Sequence, residues 1–184
     1  ATMGYGIFRS VDDGHSWTAI NQGISGTNPL AWRVALASDG TLYALIARRS
    51  EDGSIGNTGD GALYRSTDRG DSWSRIMLPT GANAPNGIAI DPADPQRLYL
   101  ALWARATPLP SSPNSLLYDR KKFTPHHPAV LNGNAGGIAL SIDGGRTWRW
   151  VLDRDRHIYD VTIDSQNPNV LYAAGFESSA WISH

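Results

Sequence analysis

Arginines, aromatic rings and carboxylates gather at the ends of a few strand-like runs: Trp32-Arg33, Arg48-Arg49, Trp103-Ala104-Arg105, Tyr159-Asp160 and Phe176-Glu177. A guanidinium can hold a carboxylate through two parallel hydrogen bonds, and an indole ring offers a flat face on which a ligand can stack. Arg33, Arg48, Trp103 and Arg105 are therefore candidate ligand-binding residues, suited to an acidic or polyhydroxylated sugar. Tyr159, Asp160 and Glu177 are weaker candidates for catalytic groups. The same residues also admit a plainer reading as strand-end salt bridges and core tryptophans.

Other chemistry-bearing residues point away from catalysis. Asp12, Asp68 and Asp143 each sit in a copy of the pattern S-x-D-x-G-x-[ST]-W, at Ser10 to Trp17, Ser66 to Trp73 and Ser141 to Trp148. An Asp in a repeated turn chiefly satisfies backbone N–H groups, so these carboxylates read as structural. His126-His127 are adjacent, so in an extended segment they point opposite ways, and no third ligand stands at a recognisable spacing. His157 lies among Asp153, Arg154, Asp155 and Arg156 and reads as part of a solvated charged loop. Neither a metal nor a cofactor is predicted.

The elements that must position the candidates follow from the repeat. Each S-x-D-x-G-x-[ST]-W motif has an apolar run before it (Gly6-Ile7-Phe8, Ala62-Leu63-Tyr64, Gly137-Ile138-Ala139-Leu140) and a short run after it. That layout predicts a turn between two antiparallel strands, with Gly supplying positive φ and Trp covering the reversal. A second marker, Leu42-Tyr43, Leu98-Tyr99 and Leu171-Tyr172, keeps the same frame, and another strand and turn precede each of these pairs. One repeat is thus four strands, a to d. The candidate residues fall at the end of strand b and the start of strand a, opposite the motif turns.

The motif resembles the Asp-box, or bacterial neuraminidase repeat, of the sialidase, xyloglucanase-like and sortilin-like β-propellers. The resemblance implies an all-β fold of Asp-box propeller blades, each of four antiparallel strands. About three blades' worth is expected, with both ends cut mid-blade: strands c and d at residues 5–20, a full blade at 31–76, a second at 86–151 with a long insert at 104–136, and strands a, b and the start of c at 158–184. Closed propellers typically take about four to eight blades, so completion by missing blades or by self-association is expected.

The resemblance further implies a carbohydrate-directed segment of a sialidase-like or xyloglucanase-like glycoside hydrolase, not expected to act alone, with a glycan or polysaccharide as partner. A sialidase needs three arginines around a carboxylate and a Tyr nucleophile assisted by Glu. Arg33, Arg48, Arg105, Tyr159 and Glu177 supply those types, but the Arg-Ile-Pro signature is absent. The xyloglucanase pattern needs two opposed carboxylates, for which Asp160 and Glu177 are the candidates. Sortilin-like propellers imply a different class, a non-catalytic scaffold for protein interaction or oligomeric assembly. An extracellular or periplasmic setting is favoured by resemblance alone.

Composition agrees with this class. The 184 residues are 41% hydrophobic and 18% charged, with 19 Gly, 11 Pro and seven Trp, and no long stretch has helical periodicity. A net charge of −1 gives no reason to expect nucleic acid as a partner. No apolar run approaches the length of a membrane span, and the N-terminus lacks the basic and apolar regions of a signal peptide. With no cysteine, disulfides and thiolate metal sites are excluded.

Overall fold

The computed structural model describes residues 4–25, 29–47, 61–82, 85–102, 136–152, 158–175 and 180–183. Among them there are strands and no helix. The strands are β1 (Phe8–Arg9), β2 (Thr18–Ala19), β3 (Leu30–Leu36), β4 (Leu42–Ala47), β5 (Ala62–Ser66), β6 (Ser74–Ile76), β7 (Pro85–Ile90), β8 (Leu98–Leu102), β9 (Gly137–Ser141), β10 (Arg149–Leu152), β11 (Ile158–Ile163), β12 (Leu171–Gly175) and β13 (Ala180–Ser183). They pair antiparallel in chain order into four sheets: β1-β2, β3-β4-β5-β6, β7-β8-β9-β10 and β11-β12-β13. The all-β class and the four-stranded antiparallel sheets expected from the sequence are what the chain forms.

The sheets stack face to face, and the alternation of side chains along each strand divides the core into three layers. Ile7, Ile20, Ala44, Ile46, Tyr64 and Trp73 fill the first seam. From the same strands Tyr43, Leu45 and Leu63 turn the other way, to meet Ile88, Leu98, Leu100 and Leu102 in the second. Tyr99, Ala101, Ile138, Leu140, Ile158, Val161 and Ala173 fill the third. Strands β8 and β9 are covered on both faces and buried throughout, which is why they read as continuous apolar runs.

The three motif turns share one set of hydrogen bonds. In each, the first Ser hydroxyl donates to an Asp Oδ1 at 2.7 Å and accepts the Gly N–H at 2.8 Å. The second Ser or Thr gives its N–H to the same Oδ1 at 2.9 Å and its hydroxyl to Oδ2 at 2.5 Å. The reversal needs two successive left-handed residues: Asp13, Arg69 and Gly144 at φ 54, 61 and 69°, then Gly14, Gly70 and Gly145 at 87, 90 and 89°. Only the second of these positions is always glycine, since a side chain at that φ is the more strained.

Each Asp carboxyl in these turns is held at about 2, below the ordinary 3.8, first by the Ser or Thr hydroxyl and next by the backbone N–H of the same residue. The folded state therefore holds the ionised form more firmly than the unfolded chain does. That contribution is complete above about pH 4 and is lost as pH falls toward about 2. Urea midpoints measured from pH 5 down to about pH 2 should fall steeply over the lower part of this range. With Asp68→Asn, which cannot make that change of charge, the slope should be shallower and the stability at neutral pH lower.

The tryptophans closing the second and third motifs clasp the preceding sheet. Trp73 Nε1 donates to the Ile20 carbonyl oxygen (2.8 Å) and Trp148 Nε1 to that of Met77 (3.0 Å). Trp17 has no earlier sheet to reach among the described residues. Its indole bonds the Gly14 carbonyl of its own turn (3.1 Å), and the ring is 62% exposed against 4% for Trp73.

Candidate functional site

Antiparallel order puts the β3–β4 and β5–β6 turns at one end of the sheets, together with the motifs, and the start of each first strand at the other. The Gly144 N–H, in the third motif, bonds the Gln96 carbonyl in the β7–β8 turn, tying the motif end together (2.9 Å). At the opposite end, each first strand carries a bulge at the same place. The register slips between Ala31 and Arg33 in β3, between Pro85 and Gly87 in β7, and between Ile158 and Asp160 in β11. The extra residues are Trp32, Asn86 and Tyr159.

A bulge leaves one residue outside the ladder and re-aims its side chain, which is why bulges often stand beside binding sites. Trp32 is 52% exposed, Tyr159 43%, and Asn86 is half-buried. Behind the bulges, the next residues of the three strands are Arg33, Gly87 and Asp160. Strand β7 has β3 on one side and β11 on the other. Arg33 Nη1 reaches across Gly87 to pair with Asp160 Oδ1, which also accepts the Val161 N–H at 2.9 Å.

Gly87 makes that approach possible. A Cβ there would lie 2.4 Å from Asp160 Oδ1, 2.8 Å from its Cα and 3.0 Å from the Tyr159 carbonyl oxygen. Both ends of the Arg33–Asp160 pair are partly exposed, so it adds at most about 1 kcal/mol to stability. Its main effect is on orientation. Asp160 is a fixed hydrogen-bond acceptor, flanked by two outward-facing rings and an amide, an arrangement that can stack on and hydrogen-bond a flat polar ligand.

Of the residues singled out in the sequence, the structure thus brings Arg33, Tyr159 and Asp160 together. Arg48, Trp103, Arg105 and Glu177 lie outside the described residues, as do residues 104–135 of the long insert with its histidines. The sequence reading missed Asn86 and Gly87. Placing the three first strands side by side, so that Gly87 falls level with Arg33 and Asp160, would have found both. Among the described residues no cluster of His, Asp and Glu is placed to hold a metal, and no helix is long and apolar enough to cross a membrane.

No protein-family model matches the chain. Two solved structures align with nearly all of it. One is the GH74 xyloglucanase of Xanthomonas campestris, with a TM-score of 0.63 at 20% identity over 96% of this chain and 23% of that one. The other is the GH74 enzyme of Niastella koreensis, with a TM-score of 0.62 at 22% identity over 98% of this chain and 25% of that one. The sheets are propeller blades. Among curated proteins, xyloglucanase Xgh74A of Acetivibrio thermocellus is 29% identical over an alignment of 136 residues that covers 50% of this chain and 16% of that protein. The chain spans about one sixth of the length of that relative, and at most a quarter of the two solved structures.

Proposed function

We propose that this chain is a segment of a carbohydrate-directed propeller of a xyloglucanase-type glycoside hydrolase, and that its bulge row is one wall of the surface that holds the polysaccharide. The observation that carries this reading is the repeated bulge, which turns Trp32 and Tyr159 outward at the same end of the two blades that flank the β7–β10 blade. Backbone-rich sugars present flat apolar faces and hydroxyl edges, which suit aromatic rings alternating with Asn86 and the Arg33–Asp160 pair. Arg48, Trp103 and Arg105 extend the surface on this reading, because the sequence places them at neighbouring strand ends. The motif turns act as Asp-boxes, building the blades from the far end. Hydrolysis needs a second carboxylate opposite Asp160, for which Glu177 is proposed.

Calorimetric titration with xyloglucan oligosaccharides tests this directly. Covering one ring face removes about 60 Å² of apolar surface from water, worth about 1.5 kcal/mol. Trp32→Ala and Tyr159→Ala should each weaken binding about tenfold, whereas Trp17→Ala, at the other end, should leave it unchanged. A folded wild-type chain that binds no xyloglucan oligosaccharide would rule the reading out.

The exposed Trp17 supports a second reading, in which the first sheet is covered by further blades or by another copy, as a scaffold for assembly. Light scattering across a range of concentrations tests the copy version. The expected result is a rising mass that Trp17→Ser lowers; a constant monomer mass would exclude it.

A further inference from the structure

The seam between the β3–β6 and β7–β10 sheets leaves two buried polar atoms without a hydrogen-bond partner among the described residues: the Tyr43 hydroxyl oxygen and Arg65 Nε. Each has a counterpart one repeat away that is satisfied. Arg65 stands just before the second motif, as Arg9 does before the first. Arg9 Nη1 donates to the Arg69 carbonyl oxygen (2.8 Å) and pairs with Asp71 Oδ1 (2.8 Å), both in the motif turn of the next sheet. At the place of Asp71, the third motif has Arg146. An ion pair in one seam is therefore replaced by two cations in the next.

Tyr43 follows the same logic. Its counterpart, Tyr99, accepts hydrogen bonds from Arg97 Nε (3.1 Å) and Nη2 (2.7 Å), but two residues before Tyr43 stands Thr41. Tyr43 is fully buried, and its hydroxyl lies beside Arg65 and within the field of Arg146. Asp39 is the nearby acid. Its Oδ1 accepts the Thr41 N–H (2.9 Å), and it forms no ion pair with Arg65 among the described residues. A cavity of about 270 Å³ adjoins, lined by Arg65, Arg75, Thr67, Ser72 and Ser74; the Ser72 hydroxyl is already committed to Asp68. The third motif packs against Tyr43, so that a Cβ on Gly144 would sit 3.5 Å from the Tyr43 hydroxyl.

We propose that this seam binds an oxyanion, a sulfate, phosphate or carboxylate group, between Arg65 and Arg146 with Tyr43 as a further donor. The anion takes the place that the Asp71 carboxylate fills one seam earlier. A buried guanidinium Nε–H without an acceptor is costly, and the planar fork of the group matches two oxygens of such an anion. The site lies at the motif end, opposite Trp32 and Tyr159, and does not depend on the reading of that surface.

The test is calorimetric titration of the full chain, at constant ionic strength, with inorganic sulfate in one arm and a glucuronate-bearing oligosaccharide in the other. Saturable binding of sulfate indicates a free-anion site. Binding of the oligosaccharide at least about tenfold more tightly than sulfate indicates the acidic group of a glycan. Arg65→Gln should abolish either signal, and Arg9→Gln, whose partner is Asp71, should retain it. Arg146→Asp is the sharper variant, because it rebuilds the first seam's ion pair: it should lose anion binding while melting at or above the wild-type temperature in chloride buffer. Binding in neither arm, or binding that survives in Arg65→Gln and Arg146→Asp, overturns the proposal. The variants also separate a bound anion from the general stabilisation by sulfate, which would be the same in all of them.

Discussion

Trp73→Ala is expected to lower the unfolding free energy by about 3–5 kcal/mol, the range for deleting a buried aromatic side chain. The ring is 4% exposed at the centre of the first seam, and its N–H is bonded to the carbonyl of Ile20 in the neighbouring sheet. Its loss opens a cavity and orphans a buried carbonyl together. Trp17→Ala removes the same residue from the same motif, yet should cost only about 0.5 kcal/mol, as surface substitutions do. Urea unfolding followed by circular dichroism checks both. Similar losses for the two would mean that the motif stabilises its own turn and not the seam.

Gly87→Ala should be the most damaging single-methyl change at the bulge end. The added carbon would meet the backbone and side chain of Asp160 at 2.4–2.8 Å, and neither is the free end of a flexible chain. Overpacking of this kind costs about 1–3 kcal/mol, and relief requires moving β11 away from β7, which breaks the Arg33–Asp160 pair and shifts Tyr159. Asp160→Ala removes the same pair without forcing the strands apart and should cost less than about 1 kcal/mol. Thermal melts of the two variants give the comparison. If Asp160→Ala proved the worse, the ion pair and not the glycine would hold the strands in place.

The strands and motif turns were legible in the sequence because they rest on local chemistry that repeats: apolar runs, an Asp four residues before its hydroxyl partner, a glycine at the left-handed position. The bulges were not. A bulge is a slip in hydrogen-bond register between two strands, and neither Trp32 nor Tyr159 announces it by type. The grouping of Arg33 with Asp160 could be read as far as both lay at strand starts, but the pairing across Gly87 depends on a side chain that is missing. Trp17 shows the same limit from the other side. Its motif is indistinguishable from that of Trp73, and the sequence reading has every motif Trp covering its reversal, whereas the exposure of Trp17 depends on which sheet stands before it.

The clasps give assembly of the chain a direction. Among the described residues, the β3–β6 and β7–β10 sheets are each locked to the sheet before by a ring that emerges long after the carbonyl it seeks: Ile20 waits for Trp73, 53 residues on, and Met77 waits for Trp148, 71 residues on. At synthesis rates of about 5–20 residues per second, the first of these delays is about 3–10 s. Over that interval the newest sheet presents an open apolar face, and the order of closing follows the order of translation.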